Sequence, residues 1–400
     1  MTGTPAGRRT GGSRHPAHTG GRTKYRFPWR AGNRFELLID GNRFYPRMLE
    51  AIGAARHYLL LEIYLVESGA VMDRFIAALS AAATRGVEVN MLFDDFGARA
   101  LRAADRRRLT ETGARLVFYN PLFPGKLFRN LARNHRKLLL VDGEVAFVGG
   151  AGISDVFDPP RHPLSRWRET MLRIEGPVVA DWRELFALVW ARHGGPALDL
   201  SPAPARRAGN ARGQVNVNRG VRREEVKRAL IRYVHRARRR VWIATAYFVP
   251  SRRILRALRQ AAGRGADVRL LLPGPHTDHP GVRQAGRRYY AGLLRAGVRI
   301  FEYQPRMLHA KVNLCDHWAS IGSSNLDRWN LRWNLEANQS VRDAAFADSV
   351  RAMFEDDFAD CIEWTYEKWR ARPWYERASE QFWGWIDQWL NRLGRGRVWE

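Results

Sequence analysis

Two stretches decide how this chain is read: Asn134-His-Arg-Lys-Leu-Leu-Leu-Val-Asp142, closed by Gly149-Gly150, and Leu308-His-Ala-Lys-Val-Asn-Leu-Cys-Asp316, closed by Gly322-Ser-Ser-Asn325. Each spells His-x-Lys-x4-Asp: His135, Lys137 and Asp142 first, then His309, Lys311 and Asp316. An imidazole can attack phosphorus or carry a proton, and a lysine ammonium can hold a phosphoryl oxygen. The apolar run after each Lys predicts a buried strand, whose alternation sets His135 with Lys137, and His309 with Lys311, on one face. If the two copies face each other, both pairs converge on one phosphate. One neutral imidazole then attacks to give a phosphohistidine. The other, protonated, serves the leaving alkoxide as acid and the incoming hydroxyl as base. An ordinary histidine pKa of about 6.5 suits both tasks. With lysine charge on the equatorial oxygens the chemistry requires no metal, and no cofactor is expected.

The flanks repeat as well. A helical stretch at Met48–Ala55 leads into Tyr58-Leu-Leu-Leu-Glu-Ile-Tyr-Leu-Val66, and Val226–Ala237 leads into Val241-Trp-Ile-Ala-Thr-Ala-Tyr-Phe-Val-Pro250. An Ala/Arg-rich helix follows in each, ending at Arg85-Gly86 and Arg264-Gly265. Next come strands at 87–93 and 267–272, then Gly-led strands at 113–119 and 297–303. Strands alternating with helices imply βαβ units. The expected fold is α/β, with two pseudo-symmetric halves, each a mixed β-sheet flanked by helices, and a site at their interface. The boundaries read as a disordered basic arm (1–27), a first half (28–193), a Pro/Ala/Gly-rich linker (194–220), a second half (221–360) and a Trp-rich amphipathic tail (361–400).

The net charge of +27 on 400 residues points to a polyanionic partner, a nucleic acid or an anionic membrane surface. The first 27 residues hold six of the basic side chains and no acid, so +21 remains on the folded body. Two cysteines, Cys315 and Cys361, make no disulfide framework and no metal-like spacing. The N-terminus has no apolar segment of the signal-peptide kind. Nothing approaches the roughly 18 consecutive apolar residues of a spanning helix.

A reactive histidine needs a carboxylate on its other nitrogen. Glu169 in Trp167-Arg-Glu-Thr170 and Glu336 in Asn334-Leu-Glu-Ala-Asn338 lie at comparable distances downstream of the two motifs. Asp142 and Asp316 are grouped with the catalytic motif, although turn chemistry favours a shaping role at the strand end. Asp94-Asp95, before a Gly at a strand end, reads as a turn rather than a metal site.

The duplicated motif resembles the signature of the phospholipase D superfamily, over nearly all of residues 30–360. Within it the chain is similar to bacterial cardiolipin synthases of the shorter form that lacks N-terminal membrane helices. The similarity rests on Asn134–Leu138, Ile174-Glu-Gly-Pro177, Thr245–Pro250, and Gly322-Ser-Ser-Asn-Leu-Asp327 followed by Asn334–Asn338. The resemblance implies phosphatidyl transfer between two phosphatidylglycerols with release of glycerol. It makes His135 and His309 the catalytic pair and Lys137, Lys311, Asn325 and Glu336 phosphate-site or supporting residues. The chain departs from the pattern at Gly152, where the first motif's Asn is expected, and by one residue fewer between Asp316 and Gly322.

The expected partner is an anionic, phosphatidylglycerol-containing membrane, with the protein peripheral on the cytoplasmic side of a bacterial cytoplasmic membrane and no nucleic acid bound. Phe382, Trp385, Ile386, Trp389, Leu390 and Leu393 form a helical stripe that either docks on the core or lies in the membrane interface. The apolar-basic segment 121–133 precedes the first motif. A hydrolytic phospholipase D and a nuclease are the rival activities, since the same site chemistry serves both.

Overall fold

The computed structural model describes residues 26–123, 125, 130–159, 162, 165–201, 206–219, 223–327, 333–374 and 380–383. In the first half, Tyr58–Ile63 lies parallel to Glu88–Asp94, which lies parallel to Arg115–Tyr119. On its other side the order is Lys137–Val141, Val145–Gly149, Thr170–Glu175 and Arg30–Ile39, all antiparallel. The second half repeats this register. Arg240–Ala244 runs parallel to Asp267–Pro273 and that to Arg299–Tyr303. Val312–Cys315, Trp318–Gly322, Leu335–Arg342 and Ala211–Arg219 follow antiparallel on the other side. Arg30–Ile39 and Ala211–Arg219 pair with each other across a bulge, so one sheet runs through both halves.

The strands flanked on both faces are the near-continuous apolar runs, as burial on two sides requires; Tyr58–Ile63 is buried at every position. The outer helices show one-sided stripes instead. In Glu225–Arg236 the buried residues are Val226, Ala229, Leu230, Tyr233 and Val234, the spacing of a single helix face. The helices ending at Arg85 and Arg264 are closed by Gly86 and Gly265, at φ of +89° and +88°, where a side chain would be strained. Outer helices cover one face of each half. Val179–Arg192 and Ala344–Ala359 instead join a central core with residues of both sheets, among them Leu138, Leu172, Val312 and Ile321.

Three expected boundaries move. Ala211–Arg219, read as linker, is the strand at the junction of the halves, and its asparagines are buried and hydrogen-bonded: Ser340 donates to Asn216 (2.5 Å) and the Val226 N–H donates to Asn218 (3.0 Å). Phe27, placed in the arm, is buried in the central core. Cys361–Trp364, placed in the tail, pairs with Arg299–Tyr303, and the helix Tyr366–Arg370 buries Trp369. The arm 1–25, most of the proposed Trp stripe (384–393) and part of 121–133 lie outside the described residues.

Side chains also tie the halves together. Arg168 donates from Nε and Nη2 to the Asp357 carboxylate at 2.8 and 2.7 Å, with both residues buried. The Trp182 indole donates to Gln339 at 2.8 Å. Removing one member of a buried ion pair strands the other, at a cost of about 3–5 kcal/mol. Asp357→Ala is therefore expected to lower the unfolding free energy by about that much in equilibrium urea denaturation. A loss under about 1 kcal/mol would show that the pair is not what holds the halves.

Candidate active site

The site is built by two backbone bridges across the junction. The His135 N–H donates to the Leu335 carbonyl (2.9 Å) and the Leu335 N–H to the Arg133 carbonyl (2.8 Å). The pseudo-symmetric bridge has the His309 N–H donating to Arg168 (2.8 Å) and the Arg168 N–H to Met307 (2.8 Å). Glu336 follows Leu335 and Glu169 follows Arg168, so each half delivers its glutamate to the other half's histidine. Glu169 Oε2 lies 2.5 Å from His309 Nδ1. Glu336 Oε1 lies 3.1 Å from His135 Nδ1, but off the line of a hydrogen bond. Pairing within one half, which sequence order suggests, does not occur.

The lysines stand beside them. Lys137 donates to the carbonyl of His135 at 2.6 Å, and Lys311 to that of His309. Lys311 Nζ also approaches His309 Nδ1 (2.9 Å) and Glu169 Oε2 (3.6 Å). Aromatic rings wall the pair: Tyr64 lies 4.6 Å from the His135 ring, and Trp167 and Phe157 lie 5.1 and 5.8 Å from that of His309. Sequence reading missed these rings. Tyr64 and Tyr247 do follow equivalent strands, but they are offset by one residue in the register of the two halves.

All six groups are buried, and the electrostatics follow from that. Burial, then the charge of Lys311, pulls His309 down to about 4, against the opposing pull of Glu169. Burial and the two lysines hold His135 well below the usual imidazole range. Burial brings Lys137 down to about 7 and lowers Lys311 as well. The carboxylates part company. Burial lifts Glu336 to about 8. For Glu169 the burial penalty is outweighed by Lys311 and His309, which hold it below its usual range. The cluster has positive charge held back by desolvation, which an incoming anion would release.

Asp142 and Asp316 are not in the cleft. Each sits at the far end of its strand with positive φ, +52° and +50°. The Asp142 carboxylate accepts the backbone N–H groups of Arg56, His57 and Tyr58, and Asp316 those of Arg238, Arg239 and Arg240. Their work is to lock the hairpin to the start of the neighbouring strand. The one-residue-shorter connection after Asp316 leaves this arrangement unchanged. Asp94 likewise accepts turn N–H groups from Phe96 and Gly97 and that of Asn134. Asn325 is fully buried beside Thr245, and its Nδ2, like Ser324 Oγ, has no hydrogen-bond partner among the described residues.

A family model described as "Cardiolipin synthase, PLD-like domain" matches residues 48–190 and 230–358. The chain belongs to this phospholipase D-like family. It is 38% identical to cardiolipin synthase A of Pseudomonas aeruginosa (strain LESB58) over 352 residues, covering 86% of this chain and 71% of that one. It is 36% identical to cardiolipin synthase B of Escherichia coli (strain K12) over 341 residues, 81% and 80% of the two chains. Among solved structures, phosphatidylserine synthase of Haemophilus influenzae aligns with a TM-score of 0.66 at 13% identity, over 92% of this chain and 97% of that one. Polyphosphate kinase of Porphyromonas gingivalis aligns at 0.58 and 16% identity, over 91% and 54%. At these identities the two structures speak for the fold alone.

Within the family pattern, the departure at Gly152 has a steric origin. A Cβ there would meet the Leu65 carbonyl at 2.3 Å, so an Asn is not accommodated without moving that strand end. Gly150 is constrained in turn by Glu169, whose carboxylate would lie 2.3 Å from a Cβ. The first half thus gives up an amide donor, while the second keeps Asn325.

Because an anion in the cleft favours the charged forms of Lys137 and the histidines, binding is expected to take up protons. Sulfate, which does not titrate near neutrality, should bind with net proton uptake at pH 7.5 and more tightly at pH 6 than at pH 8. Its affinity falls as pH rises from the ligand-free Lys137 value of about 7 toward the raised value in the complex. Calorimetry in buffers of different ionisation enthalpy reads the uptake directly, and a zero result would overturn this picture.

Proposed function

We propose that the chain is a cardiolipin synthase that transfers a phosphatidyl group from one phosphatidylglycerol to the hydroxyl of another through a phosphohistidine, releasing glycerol. The observation that carries this reading is the pair of buried, cross-linked His–Glu dyads flanked by two lysines: His309 with Glu169 at 2.5 Å and His135 with Glu336 at 3.1 Å. Two imidazoles fit a two-step displacement, in which one forms and then releases an N–P bond and the other moves a proton in each step.

His309 is assigned as the nucleophile. Glu169, kept ionised, lies against its Nδ1, which supports the positive charge that the ring gains when Nε2 bonds to phosphorus. As the N–P bond forms, the bond from phosphorus to the glycerol oxygen breaks, and His135 gives that oxygen its proton. In the second step His135 takes the proton of the incoming phosphatidylglycerol hydroxyl. The new P–O bond displaces His309, and cardiolipin leaves. Lys137, Lys311 and Asn325 meet the phosphoryl oxygens.

The membrane part of the reading rests on charge and apolar surface. The chain carries +27, and each basic group near an anionic leaflet contributes about 1 kcal/mol. Leu122, Phe123 and Leu131 are exposed just ahead of the first motif. No helix among the described residues is long and apolar enough to cross a membrane. Attachment from the cytoplasmic face of the cytoplasmic membrane fits these features.

Purified protein incubated with headgroup-labelled phosphatidylglycerol vesicles and chelator is expected to yield cardiolipin and glycerol, and His309→Ala to yield neither. Phosphatidic acid as the sole lipid product would make the protein a hydrolase. Cleavage of a nucleic-acid control without lipid turnover would make it a nuclease. A phosphodiester with a p-nitrophenyl leaving group, which needs no acid, separates the histidines. His135→Ala should still release nitrophenol and accumulate an adduct on His309, whereas His309→Ala should release none. The reverse pattern would exchange the two roles.

A further inference from the structure

The cleft gathers two histidines and two lysines, yet a carboxylate outside the two His–Glu dyads stands at its rim. Asp278 lies in the segment Gly274-Pro-His-Thr-Asp-His279, between the strand Asp267–Pro273 and the helix Pro280–Arg287. Tyr247 follows the neighbouring parallel strand, Arg240–Ala244. Both residues thus lie beyond the carboxyl ends of parallel strands, where open α/β sheets bind their ligands. The Tyr247 hydroxyl donates to Asp278 Oδ2 at 2.5 Å.

The segment is held from both ends. The Gly274 N–H donates to the Tyr303 carbonyl (3.0 Å), and from the helix Arg283 donates to the Pro273 carbonyl (3.3 Å) and to Glu302 (2.8 Å). Asp278 is therefore placed by its backbone and by Tyr247, and not by a strong cation. Among the described residues its one ion-pair neighbour is His279, at 3.8 Å, and none donates a hydrogen bond to its Oδ1. The side chain is 23% exposed.

Tyr247 borders both half-sites. Its ring lies edge to face with that of His309, centre to centre 6.5 Å. Burial and the charge of Asp278 hold its phenol well above the usual range, and Tyr64, the ring beside His135, adds to this. Asp278 is also felt at Lys311, whose charged form it favours together with Glu169 and Glu336. The first half has no such pair among the described residues. Leu65 occupies the position equivalent to Tyr247, and Asp94 at the strand end accepts backbone N–H groups.

A carboxylate at this rim works against the binding of an anionic diester by repulsion, unless the substrate brings a donor to it. An ionised carboxylate only accepts, so that donor is an N–H or an O–H. An ammonium would face the charges of Lys137 and Lys311. Neutral hydroxyls would not.

We infer that Asp278, oriented by Tyr247, recognises the vicinal diol of a glycerol headgroup, its Oδ1 accepting from a hydroxyl that does not react. The inference rests on the transferase reading. In a double displacement the leaving glycerol and the incoming one occupy the same side of phosphorus in turn, so one subsite serves both steps. Asp278 moves no proton and makes no bond to phosphorus; it selects the alcohol.

Calorimetry on the full chain with two uncleavable ligands is the test. One is a phosphonate monoester whose headgroup carries the vicinal diol of glycerol, with a methylene replacing the bridging oxygen. The other is the same monoester with a plain butyl chain. The wild type is expected to bind the diol about tenfold more tightly, the size of one charge-assisted hydrogen bond at a half-exposed site. Asp278→Ala is expected to bring that ratio close to one without weakening the plain monoester. Tyr247→Phe, which leaves the carboxylate unoriented, is expected to lower the ratio by a smaller factor. Equal affinities in the wild type, a ratio retained in Asp278→Ala, or an equal loss of both ligands would overturn the proposal. Neither phosphonate is turned over, so the result is read separately from whether cardiolipin forms.

Discussion

The structure depends on two short backbone bridges at the junction of the halves, from His135 to Leu335 and from His309 to Arg168. Each fixes the start of a motif strand of one half against the start of a Glu-bearing segment of the other. Because a strand alternates its side chains, fixing that register settles which groups face the cleft and which face away. Histidine, lysine and glutamate come together on one side; Arg136 and Leu335 are left on the other. The continuous sheet and the shared core keep the bridges from sliding, and the Arg168–Asp357 pair pins one of them from behind.

Burial does two opposed things at this junction. It strengthens every interaction between charges, and it penalises each charge that lacks a partner. Two histidines and two lysines gathered without solvent would repel, and the two glutamates offset only part of that. The result is a set of ionisable groups whose pKa values are spread from about 4 for His309 to about 8 for Glu336. Groups of one chemical kind are thereby made unequal by their surroundings, which is the condition for dividing acid and base duties among them.

Much of this was legible in the sequence, and the parts that were not share a cause. The motif strands, the helix ends at Arg-Gly and the pseudo-symmetric α/β plan follow from local spacing, and local spacing survives in a linear string. That Glu169 serves His309 rather than His135 is a fact about two segments 140 residues apart, and no periodicity encodes it. The strand Ala211–Arg219 was hidden for another reason. Its Gln214-Val-Asn-Val-Asn run alternates, but Asn216 and Asn218 are buried and hydrogen-bonded, so hydropathy reports loop where the sheet in fact continues. Gly152 was visible as a departure from the motif, and only the Leu65 carbonyl beside it explains the departure.

The crossed assignment of glutamates also bears on how such a molecule can change. Neither half alone contains a complete dyad, so a free half could be active only as a pair of identical copies. In such a pair every substitution would appear twice, on both sides of the axis. Covalent union lifts that constraint. One copy can have Gly152 where the other has Asn325, and one bridge can carry Arg168, bound to Asp357, where the other carries Leu335. The linkage between the halves therefore does more than hold them together: it lets two originally equivalent imidazoles acquire separate identities.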